Sequence, residues 1–200
     1  MNARAAVHPI EQESYAILRS RLDTSDLPPL TRAVVERVVH TSADTTWVGD
    51  LVTDEDALRA GRAALLAGAP LITDVRMVAA GVTARPAVVA LDLAGEPQDG
   101  LTRSAAGIRA AVARHPDGAV WAIGNAPTAL HELVRCAAEG LVRTPLVVGL
   151  PVGFVGAVAA KAALRGSGLP AVSNRSERGG AAVAAASVNA LLYADDEAVR

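Results

Sequence analysis

Apolar residues recur along this chain in two rhythms, and the change between them falls near Gly68. Before it, residues 10–22 carry Ile10, Ala16, Ile17 and Leu18 among charges. Residues 30–40 carry Leu30, Val34, Val35, Val38 and Val39, the spacing of one helical face. Pro28 and Pro29 separate these two helices. Thr53-Asp54-Glu55-Asp56 reads as the N-cap and acidic first turn of a third helix, and Gly68 fits its stop.

After Gly68, short and nearly continuous apolar runs alternate with longer helical segments. Strands are expected at 71–73, 87–91, 120–123, 146–149 and 171–173. Helices are expected over about 75–80, 101–114, 127–138, 155–164 and 181–193. Apolar strands alternating with helices predict one α/β domain over residues 1–200. It is a three-layer α/β/α arrangement, with a mainly parallel sheet of about five strands and an N-terminal helical segment. Asp74, Gly124-Asn125, residues 151–153 and residues 174–180 then share the carboxyl edge of the sheet, where open α/β folds bind ligands. No repeat, linker or charge run marks a second domain.

Composition narrows the functions. Hydrophobic residues make up 51% of the chain but aromatics only 2%, so the core is built from Ala, Val and Leu. Stacking platforms for single-stranded nucleic acid are not expected. A net charge of −2 and a pI of about 6.1 leave no basic footprint for duplex DNA or an anionic membrane. No nucleic-acid or membrane partner is expected, and an acidic ligand needs locally placed arginines. Cys136 is the only cysteine, which excludes an intrachain disulfide and a thiolate zinc cluster and suits the reducing cytoplasm. The most apolar segment, 145–160, is broken by Gly149, Pro151, Gly153 and Gly156. It reads as a buried strand and a helix start, not a membrane span. Residues 1–7 lack the apolar core of a signal peptide.

Candidate chemistry gathers in two runs, Gly124-Asn125-Ala126-Pro127-Thr128-Ala129-Leu130 and Gly149-Leu150-Pro151-Val152-Gly153-Phe154-Val155-Gly156. Each links a strand to a helix. Glycine allows close approach of the backbone, and a helix start offers N–H groups to anions. Close packing of helix on sheet explains the glycines equally well. Neither run is a phosphate loop or a dinucleotide fingerprint. Pro127 fits the first helical position, and Asn125 can hydrogen-bond locally or to a ligand.

His40 ends an amphipathic helix before Thr41-Ser42-Ala43-Asp44, where it is either a proton donor or a C-cap. His8, His115 and His131 are less well placed, and no pair of histidines has metal-ligand spacing. Arg103 stands at a helix start, unfavourable for its charge unless a carboxylate meets it; a solvated surface arginine is the alternative. Arg175 and Arg178 flank another stretch of the expected edge, and Cys136 reads as core.

The wording and order of these motifs resemble the precorrin-8X methylmutase family of cobalamin biosynthesis. The similarity runs through His8-Pro9-Ile10-Glu11, Ser14, Val38-Val39-His40, Ala67-Gly68-Ala69-Pro70, Asp74 and Met77. It continues in Gly81-Val82-Thr83, Thr102-Arg103-Ser104, both turn runs, Lys161, Gly179-Gly180 and Asn189-Ala190-Leu191. The resemblance implies a catalytic His40, an active-site Arg103, and a substrate pocket that includes Ser14, Thr83 and Arg85. Asn125 with its helix-start N–H groups, and Pro151 and Gly153 at the pocket edge, complete the expected substrate contacts.

The implied reaction moves a methyl group from C11 to C12 of precorrin-8X, or of its cobalt form, by a 1,5-sigmatropic shift. It needs no cofactor and no catalytic metal. The resemblance further implies a homodimer with pockets near the subunit boundary. Between Gly81 and Leu101 this chain is shorter than the family usually is, which motivates the alternative of a non-catalytic corrinoid-binding or channelling protein.

Overall fold

The computed structural model describes residues 8–96 and 100–194. The signal-peptide reading of residues 1–7, and residues 97–99 of the loop before Arg103, lie outside the described residues. The chain opens with α1 (Pro9–Arg21), α2 (Pro29–Ser42) and α3 (Trp47–Asp50), then β1 (Leu51–Val52) and α4 (Glu55–Leu66). Alternation follows: β2 (Leu71–Thr73), α5 (Arg76–Gly81), β3 (Val88–Val89), a 3-10 turn at Ala90–Leu93 and α6 (Arg103–Arg114). The remaining elements are β4 (Val120–Ile123), α7 (Pro127–Ala138), β5 (Val147–Gly149), α8 (Ala157–Gly166), β6 (Ala171–Asn174) and α9 (Ala181–Tyr193).

The sheet order is β1-β6-β5-β4-β2-β3. All neighbours are parallel except β1, which runs antiparallel to β6 with Leu51 opposite Asn174. The mainly parallel sheet therefore has a sixth strand beyond the five expected. A two-residue strand has no period to read, and neither has the single turn of α3 before it.

Alternation along β4 separates two cores. Val120 and Ala122 join the cluster under α2, α4 and α9, while Trp121 and Ile123 join the one under α6, α7 and α8. On the first face the cover is two helices deep. α9 packs on β4 and β5, and α2 packs on the outside of α9. α9 is accordingly apolar nearly all round, with Val183 to Val188, Ala190 and Leu191 buried.

β2 connects outward to β3, whereas β4 connects the other way to β5. The chain direction thus forks between β2 and β4, with Asp74 after one strand and Gly124 after the other. At Gly124 the packing explanation holds: a Cβ there would stand 2.7 Å from that of Ala184. Gly156 answers a different need, with φ of 80° as it starts α8.

Candidate active site

His40 owes its setting to two helices. Val34, Val35, Val38 and Val39 turn the apolar side of α2 inward, and Ala43, at φ 52°, ends the helix just beyond Ser42. His40 is left half-buried under α1. There, Ser14 Oγ lies 2.7 Å from His40 Nδ1. The Tyr15 ring stacks on the imidazole with centroids 4.9 Å apart and planes 7° from parallel. Two ion pairs fasten α1 to α2: Arg19 with Glu36 at 2.7 Å, and Arg37 with Glu11 at 2.7 Å. Burial opposes it, but bonds from Arg19 and Thr24 hold the Glu36 carboxyl below the usual range.

One helical turn before His40, the Arg37 guanidinium sits 5.7 Å from the Tyr193 ring centroid. The Tyr193 hydroxyl is 2.9 Å from Thr83 Oγ1, and the Thr83 N–H donates to Asn189 Oδ1 at 3.2 Å. Thr83 is thus joined through Tyr193 to Arg37, one turn of α2 before the His40 that Ser14 contacts. Arg85 stands apart from these contacts. Its guanidinium donates to the carbonyls of Leu65 and Ala69 at 2.6 and 2.7 Å, closing the end of α4.

The carboxyl edge holds the other candidates. The Asp74 carboxylate accepts the N–H groups of Gly124, Asn125 and Ala126 at 3.0, 2.8 and 2.9 Å. This corrects an expectation, because those helix-start donors are already taken and are not open to a ligand. Burial pushes the Asp74 carboxyl up, and the three N–H bonds pull it the other way. Among the described residues nothing bonds the side-chain amide of Asn125, which is what that residue has to offer.

Thr102 caps α6 through the Ala105 N–H at 3.2 Å, and its hydroxyl donates to Thr128 Oγ1 at 2.8 Å. That bond brings the start of α6, with the exposed Arg103, beside the start of α7. Arg103 has no ion pair among the described residues. Pro151 is buried, and the Gly153 N–H donates to the Glu177 carbonyl at 3.1 Å. Phe154, just beyond, is 97% exposed.

A third group has no signature as a unit in the sequence. Lys161, with no solvent exposure, donates to Asn174 Oδ1 at 2.7 Å and to the carbonyls of Ser176 and Arg178 at 2.5 and 2.7 Å. Asn174 in turn donates to Asp50 Oδ2 at 2.9 Å. Arg178 also reaches Asp50 at 3.1 Å, pairs with Asp44 and lies 4.6 Å over the Trp47 ring. Burial raises the Asp50 carboxyl, yet bonds from Ser176, Asn174 and Arg178 outweigh this and hold it well below the usual range. Burial pushes the Lys161 ammonium down to about 8. Arg178 is thus committed to Asp44 and Asp50, while Arg175 bonds Asp50 only through its backbone N–H and leaves its side chain exposed. Asp44 and Asp50 lie far from the others in sequence. Lys161 carried a signal as part of the family wording and residues 174–180 with Arg178 as a stretch of the expected edge, but nothing joined them to the two aspartates.

Among the described residues no group of His, Cys, Asp and Glu is arranged to hold a metal ion, and no helix is long and apolar enough to cross a membrane. The family model for precorrin-8X methylmutase matches residues 9–194. The chain belongs to the precorrin-8X methylmutase family. Membership makes it an isomerase of cobalamin biosynthesis that shifts a methyl group within one molecule. The binding-protein alternative is not favoured.

Similarity to individual members spans nearly whole proteins. The chain is 40% identical to the precorrin-8X methylmutase of Pseudomonas aeruginosa, over 91% of this chain and 93% of that one. It is 37% identical to the cobalt-precorrin-8 methylmutase of Methanothermobacter thermautotrophicus, over 92% and 91%. A crystal structure of the precorrin-8X methylmutase from Thermus thermophilus superposes with a TM-score of 0.84 at 32% identity, covering 96% of this chain and 98% of that one. The fold expected from the strand–helix alternation is the fold of this family.

Proposed function

We propose that this chain moves a methyl group from C11 to C12 of precorrin-8X, giving hydrogenobyrinic acid. The bond from the methyl carbon to C11 breaks as the bond to C12 forms. No atom enters or leaves, and a proton lent to the ring returns. His40 lends or shares that proton through Nε2 at a ring nitrogen, biasing the tautomer in which the methyl migrates. The observation that carries this reading is the setting of the imidazole: Nδ1 is occupied by Ser14 at 2.7 Å, and no described residue bonds Nε2. The rest is holding the substrate in its reactive shape, which proximity and orientation accomplish without a cofactor.

Ser14 and Thr83 line the pocket beside His40. Arg103, the side-chain amide of Asn125 and the backbone at Pro151 and Gly153 meet acetate and propionate carboxylates on the rim of the ring. The part of Arg85 is indirect: it anchors the segment that follows Thr83 to the end of α4.

The active unit in this reading is a homodimer in the cytoplasm. Its support is the division of the candidates. His40, Ser14 and Thr83 belong to the helical cover that includes α9, whereas Arg103 starts α6 and Asn125 lies in the turn before α7, both helices of the opposite face. A second chain lets one ring meet both groups.

The test is an anaerobic absorbance assay of the protein with precorrin-8X, and separately with its cobalt form, beside His40→Ala. Conversion to the product spectrum, lost in the variant, is expected, and the two substrates together report the metal preference. A bound spectrum with no conversion of either substrate overturns the catalytic reading.

A further inference from the structure

A histidine that passes a proton needs its ring held in two senses: its plane must be fixed, and its rotation within that plane must be fixed. Ser14 supplies the second, since a 2.7 Å contact to Nδ1 sets which edge of the ring faces outward. A hydroxyl both donates and accepts, so this contact survives a change of tautomer at His40. It does nothing to stop the ring tilting about the line joining Nδ1 to the hydroxyl.

The next residue along α1 closes that freedom. The Tyr15 ring lies 4.9 Å from the imidazole and 7° from parallel to it, so tilting drives one ring into the other. Tyr15 is itself pinned. It is half-buried on α2, the Arg19 guanidinium sits 5.5 Å from its centroid, and Arg19 is tied to the buried Glu36. Burial also pushes the Tyr15 phenol up, so the ring is neutral at physiological pH.

We infer that Tyr15 is a positioning residue for the methyl shift: its ring fixes the plane of His40 so that Nε2 keeps one direction toward the substrate. Tyr15 acts through His40 and not on the ring system that reacts. This inference rests on the assignment of His40 above.

Tyr15→Phe keeps the stacked face and Tyr15→Leu removes it, with Tyr15→Met as a second variant without a ring should leucine not be accommodated. Steady-state assays with precorrin-8X are paired with NMR of the His40 ring protons, whose upfield displacement by the neighbouring ring reports the stack directly. The expected result is a kcat on the order of 10-fold lower in Tyr15→Leu, with KM within about 3-fold and the displacement lost. Tyr15→Phe stays within about 2-fold of wild type and keeps the displacement.

If KM rises while kcat holds, Tyr15 touches substrate and the inference is wrong. Full activity in Tyr15→Leu with the displacement gone also overturns it. If His40→Ala retains full activity, the assignment of His40 fails first, and that result is separate from either outcome at Tyr15.

Discussion

The carboxylate of Asp74, at the end of β2, accepts the backbone N–H of Asn125, at the end of β4, at 2.8 Å. With the bonds from Gly124 and Ala126 it closes the fork where the strand order reverses between the parallel β2 and β4. A crevice at that point is where open α/β folds commonly seat a ligand. Here a side chain of the protein occupies the donors.

Asp74→Ala strips one buried and two part-buried N–H groups of their acceptor. A buried donor left unsatisfied costs about 1–3 kcal/mol, so the loss at Gly124 alone is expected to destabilise the variant by that order, with smaller additions from Asn125 and Ala126. Asp74→Asn, which keeps one acceptor oxygen, falls between the variant and wild type. Urea unfolding monitored by circular dichroism measures both, and an unchanged midpoint in Asp74→Ala contradicts the role given to this carboxylate.

Lys161→Met keeps the apolar stem and removes three bonds, leaving Asn174, Ser176 and Arg178 without their donor. The variant is expected to be destabilised at neutral pH. The folded-state value of about 8 lies below the unfolded value, so between these limits the unfolded state binds more protons. The contribution of Lys161 to stability therefore rises with pH from about 8 toward the unfolded value. Unfolding at several pH values across that window should show the gap between wild type and Lys161→Met widening.

Asp50 has the opposite sign. Its folded-state carboxyl is held well below the unfolded value, so its stabilisation is complete above about pH 4 and is lost as acid titrates the folded form. Asp50→Asn is expected to be less stable than wild type at pH 7, and the two should converge as pH falls below about 4. Parallel melting curves that never converge would count against the bonds described at Asp50.

His40→Ala is expected to lower kcat on the order of 10²- to 10⁴-fold, the range for removal of a general acid or base. Arg103→Ala is expected to act mainly on KM. If each site of a dimer takes His40 from one chain and Arg103 from the other, mixing the two variants regenerates one intact site per mixed dimer. Random pairing then restores about a quarter of wild-type activity at subsaturating substrate. No recovery in a mixture shown to exchange subunits places both residues in the same chain's site.

Elements with strong local patterns are legible in the sequence itself. The ranges expected for β4, α7 and α9 are the ranges observed, because Pro127 marks a helix start and the apolar runs are continuous. The carboxyl-edge positions of Asp74, Asn125, Pro151 and Gly153 follow from the same alternation. What the sequence conceals is the partners. Ser14 and His40 stand 26 residues apart, and Asn174 and Asp50 stand 124 apart, with no periodicity joining either pair. Arg85 and Asp74 are hidden for another reason: each bonds backbone groups, which any sequence supplies, so nothing in residue type marks their partners.

The burial of α9 between the sheet and α2 bears on how the chain is made. The apolar sides of α2 and α4 emerge from the ribosome long before the helix they rest on, which follows every strand. Until residues 181–193 have emerged, the valines of α2 lack the largest surface they cover, and contacts of such long sequence separation form slowly. Nascent chains halted before residue 181 should therefore be sticky and prone to chaperone capture, and folding completes only after the last helix is released.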